Sequence, residues 1–287
     1  MAAVIIDRQT TALVVDSTAD LPDNLLGDPN VTMVPLTVFF DGQAFLDWTE
    51  LKPAEFYEKL KTSSKLPTTS QPSPGTWLDT YRRLRERYER VYSVHMSSLL
   101  GGSYATACTA AEQIDNVTVV DSTVVTGGIT LLVDRLVERL ELGTTQQEFE
   151  AFIAHYVAHK TFFYLLTTLE YNHKGGRLST ASYLVGNALN IRPVLVMDEG
   201  RVQMYRKSRG VRAALNHLRD GFLERTKPGV MTYVGLSHGL NLEGMAQLQE
   251  LILATDRIID LRPPNIVGAV VGTHAGPGSL GLSFIQE

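Results

Sequence analysis

Short apolar runs that end in serine, aspartate or glycine recur along the chain and alternate with segments of helical periodicity. Two of them, Thr11–Asp16 and Val91–Val94, each lead into a hydroxyl-rich turn. Buried strands of parallel sheets read as continuous apolar runs of this kind, and helices supply the crossovers that parallel pairing requires. The pattern therefore predicts an α/β fold with mainly parallel sheets.

The length of 287 residues predicts two domains. A strongly strand-like segment, 161–168, follows two predicted helices and marks the expected domain change. We therefore expect an N-terminal α/β domain over residues 1–160 and a C-terminal α/β domain over residues 161–287.

Composition argues against several classes of function. The net charge is −5, so the chain lacks the positive charge that a nucleic-acid backbone attracts. Its one cysteine can form no internal disulfide and no cysteine-based metal site. No apolar run reaches the roughly 18 residues of a membrane span, and the first ten residues do not resemble a signal peptide. We expect a cytoplasmic protein with no bound metal, no nucleic-acid partner and no stable membrane insertion.

The sequence also makes three predictions of local structure. Residues 191–197 and 201–207 flank Asp198–Gly200 and predict a hairpin. Residues 63–75 contain three prolines and predict a loop without regular structure. The apolar run Ile266–Val271 predicts a buried strand that enters a glycine-rich loop over residues 272–281.

The stretch His95–Tyr104 predicts the end of a strand, a Ser/Gly turn and a helix that begins near Ser103. Backbone N–H groups at the start of a helix lack partners and favour an anion. Gly101 and Gly102 have no Cβ atom to keep a ligand away from the backbone. The turn either binds the anionic head of a ligand or is an ordinary connection between a strand and a helix.

One motif suggests an enzyme. Gly235–Gly239 matches G-x-S-x-G after a predicted strand, and Asp256 or Asp260 and then His274 follow in the order of α/β-hydrolases. A serine hydrolase or esterase with Ser237 as its nucleophile is therefore an alternative function.

Five motifs in the same order resemble the DegV family of bacterial fatty-acid-binding proteins, which includes the binding subunits of fatty acid kinase. The motifs are Val15–Pro22, Thr68–Pro74, His95–Tyr104, Lys174–Ser179 and His274–Gly278. The resemblance implies two α/β domains with a long-chain fatty acid in an apolar slot between them. It also implies a non-catalytic protein without a cofactor, which presents the carboxylate to a separate ATP-dependent fatty acid kinase for acyl-phosphate formation. A lipid-sensing regulatory protein without a kinase is a further alternative.

The resemblance also assigns residues to these expected functions. Residues of three loops would bind the carboxylate, namely Thr69, Ser97, Ser98, Gly101, Gly102, Ser103, His274 and Gly276. The family's L-S-G-T reads Leu-Gly-Gly-Ser here, so Ser98, Ser103 or backbone N–H groups would replace the serine hydroxyl missing at Gly101. Arg177 matches a position implicated in docking the kinase catalytic subunit. Apolar candidates for the tail are Phe162, Tyr164, Leu166, Leu184, Leu189 and Ile191.

Overall fold

The structure, a computed structural model, describes residues 4–63, 65–178 and 191–287. Its strands, in chain order, are β1 (Ile5–Ile6), β2 (Thr11–Asp16), β3 (Val31–Val34), β4 (Thr37–Phe40), β5 (Gln43–Leu46), β6 (Thr68–Ser70), β7 (Arg90–His95), β8 (Val117–Asp121), β9 (Thr144–Thr145), β10 (Thr161–Leu165), β11 (Ile191–Asp198), β12 (Arg201–Arg209), β13 (Met231–His238), β14 (Ile258–Leu261), β15 (Asn265–Ile266) and β16 (Leu280–Gln286).

The helices, in chain order, are α1 (Asp23–Leu26), α2 (Pro53–Thr62), α3 (Pro74–Arg85), α4 (Ser103–Ala111), α5 (Gly127–Leu142), α6 (Gln146–His159), α7 (Glu170–Lys174), α8 (Val211–Arg225), α9 (Leu242–Leu253) and α10 (Ala269–Ala275). Among these helices, none combines the length and the hydropathy that crossing a bilayer requires.

The first large sheet is parallel, with the strand order β3-β2-β7-β8. Because parallel strands end at the same edge, the turns after Asp16 and His95 lie side by side. The Ser/Gly turn between β7 and α4 is therefore held at the carboxyl edge of this sheet. Ligands of α/β proteins commonly bind at this edge of the sheet.

The second large sheet has the order β12-β11-β10-β16-β13-β14, and β15 also pairs with β13. The α/β class is confirmed, but the expectation of mainly parallel strands is wrong for this sheet. Only β14 and β15 run parallel to β13, whereas the other pairs are antiparallel. Buried strands have the same apolar composition whichever way they run, so the sequence did not indicate the direction of these strands.

The long helix α5 packs between the two sheets. It contacts β13 and β16 of the second sheet and β7 of the first. A continuous cluster of buried side chains consequently joins both sheets and includes Val94, Leu132, Phe162 and Ile285. Because α5 and α6 precede residue 160 yet pack on the second sheet, the domain boundary at 160/161 stays a prediction.

Two of the local predictions are wrong and one is confirmed. The hairpin around Asp198–Gly200 forms as β11 and β12. The predicted strand at 266–271 is instead the end of β15 followed by α10, and the carboxylates of Asp20 and Asp47 accept backbone N–H groups at the start of that helix. The proline-rich stretch contains β6, which pairs with β4. Its prolines lie outside that three-residue strand, so their lack of a backbone N–H removes no hydrogen bond between the strands.

Candidate functional site

A cavity opens where the turns at the carboxyl edge of the first sheet meet the second sheet and α10. The empty space in the cavity and at its mouth amounts to about 950 Å³, open solvent included. Most of its wall is apolar. The apolar wall includes Leu36, Met96, Leu100, Met197, Val202 and Val270. A mostly apolar wall with a few converging polar groups is typical of a site for a small apolar ligand.

Five of the predicted carboxylate ligands line this cavity. They are Thr69 on β6, Gly101, Gly102 and Ser103 at the start of α4, and His274 near the end of α10. These residues come from three distant segments of the chain. The fold therefore brings the three predicted loops to one place.

The other three predicted carboxylate ligands do not line the cavity. Ser97 is fully buried, and its hydroxyl donates a hydrogen bond of 2.7 Å to the carbonyl of Gly200, at the tip of the β11–β12 hairpin. The exposed Ser98 donates its backbone N–H to the carboxylate of Asp121, at 3.3 Å. Gly276 follows α10 with a φ of +74°.

The predicted tail residues divide into three groups. Phe162, Tyr164 and Leu166 line the cavity, and the first two rings stack with centroids 5.6 Å apart. Ile191 begins β11 and does not line it. Leu184 and Leu189 lie outside the described residues.

Sequence reasoning missed the wall that α10 provides. Val270, Val271, His274 and Ala275 all line the cavity. Their spacing of one, four and five positions puts them on one side of a helix. This helical spacing can be seen in the sequence, but it was not recognised because residues 266–271 were interpreted as a strand.

The imidazole of His274 lies directly against the backbone of Gly175. A Cβ atom at position 175 would be 2.1 Å from its Nδ1 atom. This Nδ1 atom is buried and has no hydrogen-bond partner in the described part of the chain. Burial and the nearby guanidinium of Arg177 lower the pKa of His274 to about 4. The ring is therefore neutral at pH 7 and can donate one N–H to an anion.

The start of α4 provides a second polar group. The hydroxyl of Ser103 is buried and lacks a partner among the described residues. A Cβ atom at Gly101 would lie 2.8 Å from the sulfur of Met96, so the thioether occupies the space that the family's serine would need. At Gly102 a Cβ would lie 2.6 Å from Nε2 of Gln71. Of the two serines considered as replacements, Ser103 lines the cavity and Ser98 does not.

The G-x-S-x-G segment does not have the geometry of a hydrolase. Its serine, Ser237, lies within β13, in register with Gly281 and Asn265 of the neighbouring strands. A hydrolase nucleophile instead sits on a sharp turn between a strand and a helix. Asp260 lies on β14, and its carboxylate accepts from Arg262 at 3.2 Å. These placements do not support Ser237 as a nucleophile.

Comparison with known proteins identifies the family. The model of the DegV family, described as uncharacterised proteins, matches residues 10–287. A DegV domain-containing protein of Halalkalibacterium halodurans is 32% identical over 279 residues, covering 96% of this chain and 98% of that one. The chain belongs to the DegV family.

Solved structures agree with this assignment. A DegV family protein from Thermus thermophilus, described by its fatty acid binding, superposes with a TM-score of 0.91 at 32% identity, covering 97% of this chain and all of that one. DegV of Bacillus subtilis, described as a fatty acid binding protein, gives a TM-score of 0.86 at 27% identity, with coverage of 97% and 100%. No group of three or more metal-ligating side chains occurs within the described ranges.

Proposed function

We propose that this protein binds a long-chain fatty acid, with the tail in the cavity and the carboxylate beside Thr69, Ser103 and His274. The observation that carries the proposal is the convergence of these three polar groups on one mostly apolar cavity. The fatty acid binding described for the relatives from T. thermophilus and B. subtilis supports the same ligand class.

The energetics of such a complex are favourable. Each buried methylene contributes about 0.8 kcal/mol, so a palmitoyl tail supplies roughly 10 kcal/mol before ordering costs are subtracted. Hydroxyls and a neutral imidazole can satisfy the carboxylate by charge-assisted hydrogen bonds, without a fixed ion pair. Without such a pair, the head group stays available for a reaction on another protein.

The proposal extends to a partner. The bound carboxylate would be presented to a separate ATP-dependent fatty acid kinase, which converts it to an acyl phosphate, and Arg177 would contact the kinase. Arg177 is exposed and lines the cavity; its Nε donates to the carbonyl of Leu100 at 3.2 Å and its Nη1 to that of Gly175 at 2.5 Å. The guanidinium therefore links the turn before α4 to the loop after α7. The assignment of residues 1–160 and 161–287 to two domains belongs to the same proposal.

Native mass spectrometry of the protein purified from cells tests the binding. We expect an adduct with the mass of a fatty acid, which organic extraction releases as the free acid. Apo protein alone, together with failure to take up added palmitate, would contradict the proposal. Palmitate binding without acyl-phosphate formation by any fatty acid kinase and ATP would favour the lipid-sensing alternative.

Replacing Ser103 with alanine is expected to weaken palmitate binding about tenfold or more. The hydroxyl has no partner among the described residues, so its hydrogen bond to the carboxylate is available, and a bond to a charged group contributes about 1.5–3 kcal/mol. Isothermal titration calorimetry measures the change. Ser98→Ala is the matched control and should bind as the wild type does. Equal affinities for both variants would exclude Ser103 as a carboxylate ligand.

Affinity for palmitate is expected to rise as the pH falls from 7 to 5. In the free protein the pKa of His274 is lowered to about 4, and a bound carboxylate raises it, because a negative charge favours the imidazolium. The complex then binds more protons than the free protein, so acid favours binding. The affinity is measured for the wild type and for His274→Gln across this pH range. Protonation of palmitate affects both proteins equally, so it cancels in the ratio of the two affinities. A constant ratio would contradict the contact.

A further inference from the structure

Two buried carboxylates from the N-terminal part of the chain bind the start of α10. Asp20 Oδ1 accepts the backbone N–H of Gly268 at 2.9 Å, and Asp47 Oδ1 accepts that of Ala269 at 3.1 Å. Both aspartates are fully buried. Neither lines the cavity, so the function proposed above leaves both without a role.

The surroundings hold the two carboxylates in place. The hydroxyl of Ser17 donates to Asp47 Oδ2 at 2.8 Å, and the indole N–H of Trp48 donates to Asp20 Oδ1 at 3.1 Å. Asp20 and Trp48 both have positive φ angles, of 50° and 65°, which non-glycine residues rarely adopt. Strain of this kind persists where the surrounding structure fixes a residue for function.

Gly268 allows the carboxylates to approach the helix this closely. A Cβ atom at Gly268 would lie 2.3 Å from Nε1 of Trp48 and 2.6 Å from Oδ1 of Asp20. Any side chain at position 268 would therefore push the start of α10 away from Asp20 and Trp48. The two carboxylates, Asp20 and Asp47, are called the cap of α10 below. Burial raises the pKa of both carboxyls, to about 7 for Asp47, and each also faces the other and Tyr57.

The cap acts on the site through α10. This helix has seven residues, and so short a helix has little stability of its own. Its position must therefore be set by its cap and by packing. Because Val270, Val271 and His274 all line the cavity, a displaced helix start moves both the apolar wall and the imidazole.

We propose that Asp20 and Asp47 are positioning residues, which fix α10 and thereby hold His274 in place at the cavity. The proposal rests on the fatty-acid binding proposed above. The proposal also assigns a role to Asp20, which belongs to the motif Val15–Pro22. The contacts proposed for the carboxylate of the fatty acid do not involve this motif.

The test compares Asp20→Ala and Asp47→Ala with Asp20→Asn and Asp47→Asn. An asparagine oxygen can still accept the same backbone N–H, whereas alanine cannot. Palmitate affinity and the pKa of His274 by NMR are measured, with the His274 signal assigned by its loss in His274→Gln. The alanine variants should bind about tenfold or more weakly and move the pKa of His274 from about 4 towards 6.5. The asparagine variants should restore both.

Asn30→Ala is the control for a merely structural loss. Asn30 is buried and bonds the carbonyls of Arg8 and Thr11, at the opposite end of β2. It should lower the melting temperature and leave the His274 signal in place. Alanine variants that lower the melting temperature without changing either the affinity or the His274 pKa would overturn the proposal.

Two further outcomes are distinguishable. If the wild type binds no palmitate, the proposed function fails, yet the His274 pKa still reports whether the aspartates position the ring. If the alanine variants do not fold, Trp48→Phe removes the indole N–H that donates to Asp20 and keeps a smaller aromatic ring in its place. It should shift the His274 pKa in the same direction by a smaller amount, and an unchanged pKa would count against the proposal.

Discussion

Replacing Gly175 with alanine is expected to weaken fatty-acid binding as strongly as removing the imidazole of His274, by tenfold to a hundredfold. The new Cβ would lie 2.1 Å from Nδ1 and 2.8 Å from Cε1 of His274, so the ring has to leave its place. The φ of Gly175 is −75°, which alanine adopts without strain. The loss should therefore approach that of one hydrogen bond to a charged group, about 1.5–3 kcal/mol.

Gly176 provides the matched control one residue later. Its φ is +74°, and a Cβ atom there would have no neighbour within 4 Å. Gly176→Ala should therefore lower the melting temperature through backbone strain and leave palmitate affinity within about threefold of the wild type. Calorimetric titration of both variants separates the two effects. Wild-type affinity in Gly175→Ala would show that the position of His274 is irrelevant to the ligand.

Introducing a charge into the apolar wall should have the other large effect. Val202 lies on β12, half-buried and facing the cavity. Val202→Glu would force the tail of the ligand against a carboxylate or force that carboxylate out of water, and burial of an unpaired charge costs several kcal/mol. We expect a loss of palmitate affinity of about a hundredfold or more.

The same strand supplies the control for this charge. Gln203 is the next residue and is exposed, because successive side chains of a strand point to opposite faces. Gln203→Glu adds the same charge to the same strand on its outer face and should bind palmitate normally, as should the apolar variant Val202→Met. Displacement of a fluorescent fatty acid measures all three. Equal losses in Val202→Glu and Gln203→Glu would place the tail elsewhere.

The sequence predicted the features that depend on local chemistry. Serine and glycine residues after a predicted strand indicated the turn before Ser103, and the structure brings this turn together with Thr69 on β6 and His274 on α10. The hairpin at Asp198–Gly200 followed from its turn residues. These features are decided within a few residues of chain, so periodicity and turn chemistry suffice to find them.

The features that the sequence missed depend on distant contacts. The helix over residues 269–275 begins where Asp20 and Asp47, more than 200 positions away, accept the N–H groups of Gly268 and Ala269. The hydroxyl of Ser97, whose contact with the carboxylate stays a prediction, bonds the carbonyl of Gly200 from the second sheet. In the second sheet, two of the antiparallel pairs form where β16 enters between β10 and β13. Single-sequence patterns carry no information on such partners.

A crystal structure of the protein with palmitate tests the central claim most directly. The carboxylate oxygens are expected at hydrogen-bonding distance, about 2.7–3.2 Å, from the hydroxyls of Thr69 and Ser103 and from the imidazole of His274. The tail should run along Phe162 and Val270 inside the cavity. A carboxylate bound away from all three polar groups, or a tail outside the cavity, would contradict the account.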